Sequence, residues 1–245
     1  MNKIRFLNAN AIKFLAAIFM VIDHVGLLFF PQVLTLRYIG RLSMPLFAFA
    51  VSEGCRYTKN KVKHLALIAG LAVLCQIVYY VAMESLYMCI LVTFSLSIIT
   101  IYALQYCKAA ILSERSLLQK LLSVVLFSAC VAAVYLACEL YTIDYGFWGC
   151  MLPVFASLVD FRNIPNTPKW LSAADCLPVR VLCMALGVYI LCAPNTGGNF
   201  GFWALLAIPL LLLYNGKKGT WNTKYFFYIF YPAHLVLIQG IYWLL

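Results

Sequence analysis

An aspartate and a histidine stand side by side at Asp23-His24, inside an apolar run that extends from Ala9 to Phe30. Thirteen residues after His24, the segment Arg37-Tyr38-Ile39-Gly40-Arg41 opens a second apolar run. Ionisable groups at bilayer depth cost a few kcal/mol each, so they mark sites of chemistry by default. Imidazole is the side chain whose ordinary pKa suits it to act as a base near neutrality, which makes His24 the candidate general base. Adjacent helical positions point about 100° apart, so Asp23 and His24 are expected to face different partners. Asp23 is expected to meet an arginine of the second span, and His24 a substrate. Arg37 and Arg41, at i, i+4 on one helical face, can clamp a phosphate or carboxylate or pair with Asp23.

Further candidates lie along the same elements. Lys13 precedes His24 by eleven residues, which returns a helix to nearly the same face about 16 Å away. A cation at one end and a base at the other suit an elongated donor with an anionic head; an ordinary lysine at a membrane surface fits the position as well. Near the chain's end, Phe230-Tyr231-Pro232-Ala233-His234 carries a second intramembrane imidazole. Tyr231 and His234 are three apart and share a face, and Pro232 interrupts the helix hydrogen bonds at mid-membrane. Pro45 is expected to kink the second span near its centre. Glu53 reads as an interfacial acid balancing Arg56 or as a donor-binding group, and His64 as a solvated histidine in a basic loop.

The elements that must position these groups are membrane helices. Hydrophobic residues make up 65% of the 245 and charged residues 11%, and the mean hydropathy is +0.93; soluble domains are nearer half apolar and a quarter charged. The fold expected is an all-α, polytopic integral-membrane helix bundle in a single domain, 1–245. About nine transmembrane helices are expected, near 10–30, 40–55, 65–83, 87–106, 117–138, 144–159, 179–193, 200–214 and 225–245, the sixth to eighth being short. The basic, apolar start carries no small-residue cleavage site and reads as an uncleaved first span.

Sixteen of the 18 Lys and Arg fall at alternate span ends, in groups from Lys3 to Lys224, and Arg37 and Arg41 are the exceptions. The opposite ends receive Glu84, Glu139 and Asp144. This asymmetry predicts a cytoplasmic N-terminus and an external Leu245. It also explains the net charge of +10 as topology, so no nucleic-acid partner is required. Tyr79, Tyr80, Tyr145, Trp148, Trp203, Trp221 and Tyr225 read as interfacial belts. The ten cysteines never form a C-x-x-C pair, so neither a metal site nor a disulfide framework is expected. Glycine-rich phosphate loops and inverted repeats are also lacking, which speaks against an ATP-driven pump.

Several segments, taken in order, resemble the TraX family. They are Ala11-Ile12-Lys13, Met20-Val21-Ile22-Asp23-His24-Val25-Gly26, Arg37-Tyr38-Ile39-Gly40-Arg41, Pro45-Leu46-Phe47-Ala48-Phe49 and Glu53-Gly54 with Thr58. Asp144-Tyr145-Gly146-Phe147-Trp148-Gly149 and Phe227-Tyr228-Ile229-Phe230-Tyr231-Pro232-Ala233-His234-Leu235 follow. The founding member of that family is known for acetylating the amino terminus of F-type conjugative pilin. The family is similar to a wider set of membrane acyltransferases, part of which carries a cation, normally arginine, at the Lys13–His24 spacing.

The resemblance implies acetyl-CoA as co-substrate, no metal, and an amine or hydroxyl acceptor such as a protein N-terminus or a glycan. It implies catalytic roles for His24, Asp23 and Arg41, and substrate or donor contacts for Arg37, Lys13, Tyr231, His234 and Glu53. Direct transfer and a transient acetyl-histidine both fit. Two other readings fit the same residues: a proton-coupled transporter using Asp23, His24 and His234 as a relay, and a non-enzymatic subunit of a conjugation or secretion apparatus.

Overall fold

The computed structural model describes residues 5–83, 85–193, 201–220 and 223–244. Lys3, Glu84, Trp221 and Leu245 lie outside the described residues, as do the side chains of Lys224 and Tyr225. Among the described residues every regular element is helical, and pairing of extended backbone is limited to the isolated bridges Leu7–Tyr214 and Met88–Ile143. The elements are α1 (Ala9–Leu28), α2 (Leu34–Gly40), α3 (Ser43–Tyr57), α4 (Lys61–Met83), α5 (Ile90–Ile111) and α6 (Leu117–Leu140). Then come α7 (Gly146–Ser157), α8 (Lys169–Ala174), α9 (Leu177–Cys192), a 3-10 turn (Gly201–Leu206), α10 (Ala207–Leu212) and α11 (Lys224–Leu244).

Each of the nine expected spans has a helical counterpart, but only α1, α4, α5, α6 and α11 are long and apolar enough to cross a bilayer among the described residues. The segments 146–157, 177–192 and 201–212 are apolar and shorter, as their short runs foretold. The second span departs most from expectation. Its 15-residue helix α3 begins at Ser43, so Pro45 sits in the first turn, where its missing N–H would have had no intrahelical partner. The expected mid-span kink is therefore absent: proline starts this helix rather than bending it.

The chain falls into two compact units, 1–50 with 188–245, and 51–187. In the first, Asn8 caps α1 by accepting a hydrogen bond from the Ala11 N–H at 2.9 Å, which satisfies one of the open donors of the helix start. Ala16 and Ala17 are buried and allow neighbouring backbone to approach. Ser43 uses that approach to donate to the Ala16 carbonyl at 2.8 Å. Phe49 packs edge-on against Tyr214, ring centroids 5.6 Å apart.

In the second unit α5 is the central helix, with more than half of its apolar window buried, whereas α4 and α6 turn theirs outward. Its hydroxyls explain how a polar stretch tolerates that position. Ser95, Ser97 and Thr100 each donate to the carbonyl four residues back, and Ser97 also reaches the Cys150 carbonyl of α7 at 2.7 Å. Ile98, Ile101, Cys150 and Val154 fill the space around them. Asp144 belongs to the turn that starts α7: Tyr87 donates to its carboxylate at 2.6 Å and Thr93 to its carbonyl at 2.7 Å.

Candidate functional site

The candidate site is built on α1 and lies within the first unit. Two glycines bring α2 against it: a Cβ on Gly26 would sit 2.7 Å from the Leu36 Cβ, and one on Gly40 would collide with the Asp23 carboxyl group. The contact places Arg37 on Asp23. Its Nη1 donates to Asp23 Oδ2 at 2.6 Å and to the Asp23 carbonyl at 3.0 Å, and both side chains are mostly buried. Asp23 thus meets an arginine, but one on α2 rather than on the second span. Its Oδ1 is buried and has no hydrogen-bond partner among the described residues. Gly40→Ala should push the two helices apart, break this pair and cost about 1–3 kcal/mol, as overpacking does. Thermal unfolding in detergent measures it; an unchanged midpoint would contradict the close approach.

Arg41 follows the last residue of α2, and its N–H donates to the Arg37 carbonyl at 3.2 Å, so the helical phase carries through both arginines. They nevertheless have different surroundings. Arg37 is matched by Asp23, whereas Arg41 lies within electrostatic reach of the Cys192 thiol. Tyr38, between them in sequence, stacks on Trp203 with centroids 5.1 Å apart and planes 10° from parallel.

One residue past Asp23, the helical rotation turns His24 toward α11. The rings of His24 and His234 meet edge to face, with centroids 5.3 Å apart. His24 Nδ1 lies 2.8 Å from the Met20 carbonyl, and His234 Nδ1 lies 3.0 Å from the Phe230 carbonyl. A carbonyl can only accept, so each Nδ1 is the donor and, in the neutral rings, each Nε2 holds a lone pair. His234 Nε2 is buried without a hydrogen-bond partner among the described residues. Tyr231 packs at 5.4 Å from the His234 ring and Phe230 stacks on it at 5.0 Å. Two basic nitrogens are thereby held in fixed orientations on facing helices.

Lys13 is on the same continuous helix as His24 and also faces α11, its Nζ 5.8 Å from the centroid of Phe227. Between the lysine and the histidines the rings of Phe226, Phe230 and His234 stack in succession along α11, and Phe14 of α1 packs on Phe226 and Phe227. Among the described residues no group of three or more His, Cys, Asp or Glu gathers that could hold a metal ion.

The second unit holds a buried ionic network that the sequence reading missed. Glu53 pairs with Arg180, not with Arg56. Arg56 instead donates to Asp160 at 2.5 Å and to Asp175 at 2.7 Å. Lys108 donates to the carbonyls of Ser157 and Asp160 at 2.8 and 3.2 Å. Arg180, one of the sixteen cations assigned to span ends, is buried within the first turn of α9. His64 is likewise not simply solvated: it lies in α4 with Nδ1 2.8 Å from the Tyr102 hydroxyl. The available signal was Asp160 and Asp175, two acids in a loop where charge asymmetry alone would place only cations.

Comparison with known proteins adds to this geometry. The family model described as TraX protein matches residues 8–242. "Probable fimbrial assembly protein FimC, serogroup H1" of Dichelobacter nodosus is 28% identical over 240 residues, covering 94% of each chain. An uncharacterized protein of Rickettsia prowazekii is 48% identical over 40 residues, 16% of each chain. No solved structure matches the chain.

Proposed function

The chain belongs to the TraX family, and from that premise we propose that it is an acyltransferase of the bacterial inner membrane, moving an acetyl group from cytoplasmic acetyl-CoA to an amine or hydroxyl acceptor. The observation that carries this reading is the pair of imidazoles, each fixed through Nδ1 with Nε2 left as a base. His24 Nε2 takes the proton of the acceptor nucleophile as it attacks the thioester carbonyl, and the departing thiolate receives a proton in turn. His234, beside it, holds the acceptor or the charge that develops on His24.

Arg37 is neutralised by Asp23, so the two act as a positioning pair that fixes the α1–α2 hairpin and with it the orientation of His24. Arg41 is the better candidate to stabilise negative charge on the carbonyl oxygen. Lys13, three turns below His24 and joined to it by the aromatic face of α11, suits the donor's anionic end. The pairing of Glu53 with Arg180 makes it a structural residue in this reading. The charge asymmetry supports a cytoplasmic N-terminus.

The description of the Dichelobacter relative as a fimbrial assembly protein supports a pilus subunit as the acceptor, with a surface glycan as the other acceptor of suitable chemistry. It also favours, as a second reading, a non-enzymatic part in fibre assembly. Donor binding separates the two. Acetyl-CoA is expected to raise the unfolding temperature of the purified protein, because a ligand selective for the folded state stabilises it. No shift at saturating acetyl-CoA, with the protein shown to be folded, would favour the assembly or transporter reading.

A further inference from the structure

The base of α1 gathers positive charge that its own unit does not neutralise. Residues 1–50 and 188–245 contain eight Lys and Arg, and Asp23 is their one Asp or Glu. Asp23 is engaged with Arg37 and stands ten residues along α1 from Lys13, about 15 Å away at helical rise. No ion pair involves Lys13, Lys217 or Lys218 among the described residues.

The backbone holds the segment that carries Lys217 and Lys218 against the start of α1, one turn before Lys13. Residues 213–218 strap the start of α1: Leu7 N–H donates to the Leu213 carbonyl at 3.0 Å and Asn215 N–H to the Leu7 carbonyl at 2.8 Å. Ala9 N–H donates to the Lys217 carbonyl at 2.8 Å and Asn10 N–H to the Lys218 carbonyl at 3.3 Å. Gly219 follows with φ of 96°, and a Cβ there would lie 2.9 Å from Asn8 Oδ1, so glycine lets the strap lie this close. Thr223 then donates to Asn10 Oδ1 at 2.9 Å.

The strap carbonyls and Asn8 already occupy the first N–H groups of α1, so the open helix end is not the anion site. The ammonium groups are the donors that remain. Lys218 lies within electrostatic reach of Lys13, which is half-buried in the first span. Topology accounts for the number of cations at this end, but not for a built strap that holds Lys218 near a half-buried lysine and Lys217 next to it in sequence. Like charges held close without an acid are stabilised by an anionic ligand.

We propose that Lys13, Lys217 and Lys218 form a binding site for a phosphate group, carried either by a soluble phosphorylated ligand or by an anionic lipid headgroup. The site rests on the acyltransferase reading only where the soluble source is the acyl donor.

The test uses the full chain in nanodiscs, with lysine reactivity toward reductive methylation read by mass spectrometry. In phosphatidylcholine discs, pyrophosphate and adenosine 3′,5′-bisphosphate are the soluble probes; in a second arm, phosphatidylglycerol discs carry no soluble probe. Protection of the three lysines is expected in one arm or both, and the arm identifies the source. Lys217→Gln with Lys218→Gln should weaken that protection about tenfold or more in ligand concentration, as loss of charge-assisted hydrogen bonds does. Both side chains are exposed and only their carbonyls hold α1, so the variant keeps the strap. Absence of protection in both arms, or protection unchanged in the double variant, would overturn the site. Acetyl transfer persisting without protection would sink this site alone, whereas protection without transfer would sink the acyltransferase reading alone.

Discussion

Replacing His24 by alanine is expected to lower acetyl transfer by about 10²–10⁴-fold while leaving the unfolding temperature and acetyl-CoA binding near wild type. The imidazole is half-buried and donates within its own helix, to the Met20 carbonyl, so its removal breaks no hydrogen bond between helices. What is lost is the Nε2 lone pair beside His234. His234→Ala should cost less in turnover if it serves only to hold the acceptor or share the charge. It should cost more in stability, because this ring is buried and packs on Phe230, Tyr231 and His24. Release of free thiol from acetyl-CoA, followed in nanodiscs, gives both rates. Near-normal turnover by His24→Ala would shift the base to His234.

The second large effect falls on stability. Arg180→Ala is expected to destabilise the protein by about 3–5 kcal/mol, the usual consequence of leaving a buried charge without its partner. Glu53 is 5% exposed and Arg180 4%, so water cannot replace the missing guanidinium. Glu53→Gln should be milder, since it removes one charge and leaves the longer, more adaptable arginine. A double change, Glu53→Gln with Arg180→Met, should recover part of the loss, because pair energies between contacting residues are not additive. Thermal unfolding in detergent followed by circular dichroism measures the series. A loss in the double variant equal to the sum of the Glu53→Gln and Arg180→Met losses would show that the two side chains do not act as a pair.

The helical architecture was legible because bilayer length and charge asymmetry are properties of the sequence itself. The Asp23–His24 divergence was legible too, since one residue of helical rotation sends the two side chains to α2 and α11. The meeting of His24 with His234 could be expected only loosely: 210 residues separate them, and no local pattern sets the phase of α11 against α1. The helix break after Gly40 escaped notice because Arg37 and Arg41 look like one continuous turn, which their hydrogen bonds nearly make them. Pro45 was misjudged because its effect depends on where the helix starts, and that start is set by packing of Ser43 on Ala16. The ionic network stayed hidden because its partners, such as Arg56 and Asp175, lie more than a hundred residues apart and two of them look like ordinary loop charges.

The most direct measurement of the central claim is turnover of acetyl-labelled CoA by the purified protein in nanodiscs, with a peptide bearing a free pilin-like amino terminus as the acceptor and a hydroxyl-bearing glycan beside it. The account predicts free thiol, label on one of the two acceptors, and loss of both signals in His24→Ala. A folded wild-type protein that releases no thiol with either acceptor, or a His24→Ala protein that transfers label at the wild-type rate, would contradict it.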